Sequence, residues 1–99
     1  MNKVLFLLLS IVYVASATPL FDRCSTCHGK SGEKHSLNLT KPIAGMKVKD
    51  VVKILKAYKA GTRNTYGFGT MMKGQTARLS DDDITEVATY IESLHPVEI

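Results

Sequence analysis

Cysteine is scarce in this 99-residue chain: there are two, too few for a disulfide-dense scaffold. Three prolines and seven glycines leave no collagen-like or low-complexity segment. Charge of one sign does not dominate. Thirteen Lys and Arg stand against nine Asp and Glu, a net charge of +4, so the chain is mildly basic and no nucleic-acid partner is expected. Long apolar runs are missing apart from one near the N-terminus, which excludes a polytopic membrane protein. With 44% hydrophobic residues the chain is not a disordered tail, and its length allows one small domain.

The single apolar run organises the N-terminus. Lys3 is the only charge in residues 1–17, Val4 to Val14 is almost unbroken apolar sequence, and Ala15-Ser16-Ala17 follows. A basic start, a short apolar stretch and an A-x-A end describe a secretory signal peptide, with cleavage expected after Ala17. The run falls short of the about 20 residues that span a bilayer, and no cysteine follows it to carry a lipid. The expected domains are therefore a leader, 1–17, and a mature chain, 18–99. Removing 17 of 99 residues leaves 82. A domain of that size buries only roughly 60–65% of its unfolded surface, and such chains often need a staple such as a metal, a disulfide or a partner.

No stretch alternates with period two, so an all-α fold is expected. Three segments have helical patterning. The first, residues 19–29, opens on Pro19 and stops at Gly29. In the second, 48–60, Val48, Val51, Val52, Leu55 and Tyr58 recur at helical spacing, and Gly61 suits the stop. Lys49, Lys53, Lys56 and Lys59 share its opposite face. The third, 81–94, begins with Ser80 and Asp83 at capping-box spacing and carries Ile84, Val87, Ala88, Ile91 and Leu94 as its apolar stripe. Residues 30–47 and 62–79 read as irregular. Each exceeds the about 12–15 residues usual for a structureless loop, so each must wrap around something.

What they wrap is indicated by Cys24-Ser25-Thr26-Cys27-His28, the C-x-x-C-H pattern of c-type haem attachment. Two thiols at this spacing add across the two vinyl groups of one porphyrin edge, and the next imidazole reaches the iron. A thioredoxin-like redox pair would need a βαβ pattern, and a zinc site would need a second ligand pair; neither is present. The sixth iron ligand is open among Met46, Met71, Met72, His35 and His95. Met71 and Met72 sit in the Gly-rich stretch before the last helix, outside any apolar stripe. Met72 is preferred there, although spacing alone does not decide between the two. His/Met ligation raises the reduction potential and suits electron transfer.

These features resemble the class I cytochromes c, most of all the small periplasmic cytochrome c-553 proteins of bacteria. The resemblance runs through Leu20-Phe21, the Cys24–Gly29 motif, Lys41-Pro42-Ile43-Ala44-Gly45, Lys56-Ala57-Tyr58-Lys59-Ala60-Gly61, Met71-Met72-Lys73-Gly74-Gln75, Leu79–Ile84 and Val87–Ile91. It implies a small fold of three to four helices with long loops around one haem c. It also implies Cys24 and Cys27 as thioether cysteines, His28 as proximal ligand, and Pro42 as the carbonyl that accepts the imidazole N–H. Met72 would be the distal ligand, Tyr66 a residue of the haem crevice, and Phe21 with Tyr90 the contact between first and last helices.

The implied function is a periplasmic electron carrier between a membrane quinol-oxidising complex and a terminal oxidase or a cytochrome c peroxidase. Docking would be transient, the carrier a monomer, and the lysine row a candidate for steering. A haem-based gas or redox sensor with a labile sixth ligand is the alternative. An enzyme with its own substrate is not expected, because no acid–base cluster or nucleophile is present. If haem completes the core, the chain without it is expected to be largely unfolded.

Overall fold

The structure, a computed structural model, describes residues 18–35 and 40–97. The expected leader, 1–17, lies outside the described residues. Among these residues there are helices and turns but no strands. A 3-10 turn, Pro19–Phe21, runs directly into α1, Asp22–His28; α2 spans Val48–Ala60, α3 Gly69–Thr76 and α4 Asp81–Ser93. Among the described residues, no helix is long and apolar enough to cross a membrane.

The ends of these elements follow from local chemistry. Thr18 accepts from the Leu20 N–H and Pro19 supplies a preset φ at the first position, which opens the first segment. Ser80 and Asp83 form the reciprocal capping box of α4, with the Asp83 N–H on Ser80 Oγ at 3.0 Å and the Ser80 N–H on Asp83 Oδ2 at 3.0 Å. Asp81, Asp82 and Asp83 place negative charge in the same first turn. Gly61, at φ 80°, ends α2 in a left-handed turn: its N–H donates to Tyr58 O and the Thr62 N–H to Ala57 O.

The core lies where three elements meet. Phe21, Val51, Leu55, Ile84, Val87, Ala88 and Ile91 form one buried cluster. The Phe21 and Tyr90 rings pack at 5.0 Å, tilted by 59°, within the favourable range for an aromatic pair. This is the expected contact between first and last helices. α2 packs on both α3 and α4. Segment 43–45 is tied in from two sides: Ile43 N and Ala44 N donate to Gly32 O, and Gly45 N donates to Ile91 O at the end of α4.

Two expectations need correction. Residues 62–79 are not irregular throughout, because 69–76 form α3 and carry both Met71 and Met72. The four-lysine row of α2 is a row of three. Lys49, Lys53 and Lys56 are exposed, but Lys59 donates to the Leu79 carbonyl. At 100° per residue Lys59 falls on the flank shared by Val48 and Val52, beside the α3–α4 connection, which is why it finds a backbone partner.

Candidate haem-binding site

One face of α1 holds three reactive side chains. Cys24, Cys27 and His28 are three and four residues apart, the spacing that places side chains together on a helix. None of the α1 residues is fully buried; this face borders a cavity of about 620 Å³. Neither cysteine is in a disulfide. Burial pushes the Cys24 thiol above its ordinary pKa, with neighbouring Arg23 opposing the rise. Burial lowers the pKa of His28, which favours the neutral imidazole that a metal requires.

The chain beyond His28 doubles back tightly. Gly29 N donates to Ser25 O, Gly32 N to Gly29 O and Lys34 N to His28 O. The Glu33 carboxylate accepts the Ser31 N–H at 3.0 Å. With Ile43 and Ala44 bonded to Gly32, this turn carries Thr40, Lys41, Pro42, Ile43 and Met46 to the same cavity.

A second wall comes from the α2–α3 connection and α3. Tyr66, Phe68, Met71, Met72 and Gln75 line it. The two methionines differ through helical phase. Met72 lies on the side of α3 that leads to buried Thr76, and it packs against the core cluster. Met71, 100° around the helix, is 49% exposed. α3 is held at its start by Asn64, whose Oδ1 accepts the Gly69 N–H at 2.8 Å. A side chain at Gly69 would come within 2.4 Å of the Arg63 carbonyl, so the two backbones can approach only because residue 69 lacks one. α2 and α4 close the back of the cavity with Val51, Ile54, Leu55, Tyr58, Val87 and Ile91.

Every candidate site residue therefore reaches one cavity: Cys24, Cys27, His28, Pro42, Tyr66 and Met72. Met46 and Met71 reach it too. His35 and His95 do not line it; His35 Nδ1 instead lies 3.0 Å from the Thr40 carbonyl. Sequence reasoning missed Arg63. Its guanidinium stands 5.4 Å from the centre of the Tyr58 ring, and its Nε is buried without a hydrogen-bond partner among the described residues. A single arginine in Gly-Thr-Arg-Asn carries no sequence signal that would have found it.

The residues fit a haem. A hole this large has no filler among the described residues, whereas folded interiors tolerate few voids larger than a water molecule. An imidazole and a thioether line the same cavity, with two thiols on the helix that carries the imidazole. The charged side chains on the wall are Arg23, Lys41 and Arg63, with no carboxylate among the described lining residues. That suits a planar apolar group bearing carboxylates. An orphaned buried donor such as Arg63 Nε costs about 1–3 kcal/mol, a cost that such a ligand removes.

The model of the cytochrome c family, described as "Cytochrome c", matches residues 14–95. The chain belongs to this family. It accordingly carries covalent haem c, for which Cys24 and Cys27 are the two thiols at the right spacing, and it serves electron transfer. Among curated relatives, the cytochrome c-553 of Helicobacter pylori (strain J99) is 34% identical over 85 residues, covering 86% of this chain and 84% of that one. Cytochrome c4 of Azotobacter vinelandii is 31% identical over 72 residues, covering 73% of this chain and 34% of that one. Cytochrome c4 of Stutzerimonas stutzeri is likewise 31% identical over 72 residues, again 34% of its length. The match to cytochrome c-553 extends over nearly the whole of both chains; that to cytochrome c4 takes in about a third of the larger protein.

Proposed function

We propose that this cytochrome c is a periplasmic single-haem electron carrier, exported by residues 1–17 and released by cleavage after Ala17. In this reading it moves electrons from a membrane quinol-oxidising complex to a terminal oxidase or a cytochrome c peroxidase. The observation that supports it most is that Cys24, Cys27, His28 and Met72 all line one apolar cavity.

When bound, haem supplies a one-electron Fe(II)/Fe(III) couple. The chain does the rest. Cys24 and Cys27 would hold the group through thioethers, and His28 and Met72 would offer its iron a nitrogen and a sulfur ligand. Pro42 orients the His28 ring through its carbonyl, as groups behind a metal ligand do. Helix α3 holds Met72 in a fixed phase, so little reorganises between oxidation states. The apolar walls from α2 and α4 keep water out. Cys27 is exposed, so the attachment side of the cavity opens to the surface where a partner docks. Such docking is brief and uses a small interface, with the carrier itself monomeric.

Spectroscopy tests the ligand assignment. The oxidised protein is expected to show the weak near-infrared sulfur-to-iron band. Met72→Ala abolishes it and Met71→Ala leaves it. Loss of the band in Met71→Ala would reverse the assignment. A wild-type protein without the band that binds carbon monoxide rapidly when reduced would favour the sensor instead. The row Lys49, Lys53 and Lys56 is proposed to steer an acidic partner. Turnover with an oxidase then falls steeply as salt is added, and a flat response would remove the steering role.

A further inference from the structure

The segment that carries Pro42 is anchored on both sides. Towards α1, the Gly32 carbonyl accepts two N–H groups, from Ile43 at 3.0 Å and from Ala44 at 3.1 Å. Gly32 belongs to the turn after His28, because its own N–H donates to Gly29 O and the Lys34 N–H to His28 O. This first anchor therefore travels with the turn. Towards α4, the Gly45 N–H donates to the Ile91 carbonyl at 2.9 Å. Ile91 is buried in the core and lines the back of the cavity. The second anchor thus fixes the Pro42 segment relative to the cavity itself.

The residues that follow α4 close this second anchor. Helix α4 stops at Ser93, and Leu94 takes an extended conformation, φ −79° and ψ 148°. The chain then passes over Gly45. A Cβ at position 45 would come within 2.6 Å of Pro96 Cγ, 3.1 Å of Pro96 Cδ and 3.2 Å of the Leu94 carbonyl oxygen. Glycine is needed there twice over, for the space and for a φ of 81° that a side chain disfavours. Proline suits the seat, because its ring presets φ and loses little entropy on being held. Pro96 is exposed on its outer side and is not among the residues that line the cavity.

We propose that Pro96 is a positioning residue for the His28 ligand. Seated on Gly45, it holds the segment that carries the Pro42 carbonyl. The inference rests on the reading above that this carbonyl accepts the His28 ring N–H. A firmly held acceptor makes an imidazole a more basic ligand, which favours ferric over ferrous iron. The residues after α4 thereby hold the reduction potential down from outside the cavity.

The test uses the holoprotein, with the α band of attached c-type haem verified first. Pro96→Ala removes Cγ and Cδ, the atoms seated on Gly45, from an exposed position, so the variant is expected to fold. It is compared with wild type and with Val97→Ala, a change at the exposed neighbour. In the reduced, nitrogen-15-labelled protein, the His28 ring N–H is expected to exchange with solvent several-fold faster in Pro96→Ala. The midpoint potential is expected to rise in the same variant, and Val97→Ala to move neither readout. A Pro96→Ala protein with wild-type exchange and potential would overturn the proposal, and an earlier melt alone would mark Pro96 as a structural residue only. So would a Val97→Ala protein that moves both readouts as far as Pro96→Ala does. A wild-type ring N–H that exchanges freely would remove the Pro42 reading itself, and the proposal with it.

Discussion

Two walls of the cavity are built on different principles. The wall on the α1 side is local. Its reactive side chains lie within one helix turn of each other, and the turn that follows is closed by bonds between residues three to six apart, such as Lys34 N to His28 O. The wall on the α3 side is assembled from a distance. Met72 is placed by a two-turn helix that rests on α2, and Arg63 by a ring one turn back along α2. The first wall is dictated by covalent chemistry, which demands a fixed spacing. The second is dictated by packing, which demands only that a surface be complementary.

The strongest way to break this contrast is to remove the covalent half. Cys24→Ser/Cys27→Ser is expected to leave a chain that does not fold cooperatively, since the cavity then has no filler and α1 has no buried residue of its own. A sigmoidal melt of the haem-free variant in far-ultraviolet circular dichroism would refute this account. The packed half is probed next, through two glycines of the same helix. Gly69→Ala forces a methyl group against the Arg63 carbonyl. Thermal melts of the holoprotein should show a loss of about 1–3 kcal/mol. Gly74→Ala meets nothing within 4 Å and should stabilise α3 by up to about 1 kcal/mol. If both behave alike, α3 is not held by close approach at its first turn.

Smaller effects sharpen the comparison. Asn64→Ala removes the acceptor of the Gly69 N–H and should lower holoprotein stability by about 1 kcal/mol, read as a fall of about 4–8 °C in Tm. The mildest change is Glu33→Gln in the turn after α1. Backbone N–H groups of Glu33 and Ser31 hold the Glu33 carboxyl below its ordinary pKa of 4.5. A depressed folded pKa stabilises above the unfolded value and loses that contribution as pH falls through the folded one. The gap in Tm between wild type and Glu33→Gln is therefore expected at pH 6–7 and should close under acid. A gap that stays constant with pH would mean that the carboxylate charge plays no part in the turn.

The same division explains what could be read without coordinates. Helix α2 is legible to the residue, because Val51, Leu55 and Tyr58 recur at helical spacing and Gly61 marks the stop. The start of α4 is legible because Ser80 and Asp83 bond each other in any context. The α1 side of the site is legible in five residues. Helix α3 is not. It has two glycines in eight residues and no apolar stripe, since Met71, Met72 and Gln75 border a cavity that the described residues do not fill. Periodicity reports burial against protein, and here the partner is a cofactor. Arg63 was hidden for the same reason. Lys59 was misread because charge on a helix face reveals its sign but not whether a carbonyl stands nearby.

The exposed row Lys49, Lys53 and Lys56 has a practical consequence. These amines lie on the side of α2 opposite Val51, Ile54 and Leu55, which line the cavity. A helix with its side chains is about 10 Å thick. Anything coupled through those amines, an electrode surface or a fluorophore, is insulated from the iron by the full width of α2. Electrical wiring of this protein calls for an anchor on the α1 or α3 side, where Cys27 and Met71 reach the surface.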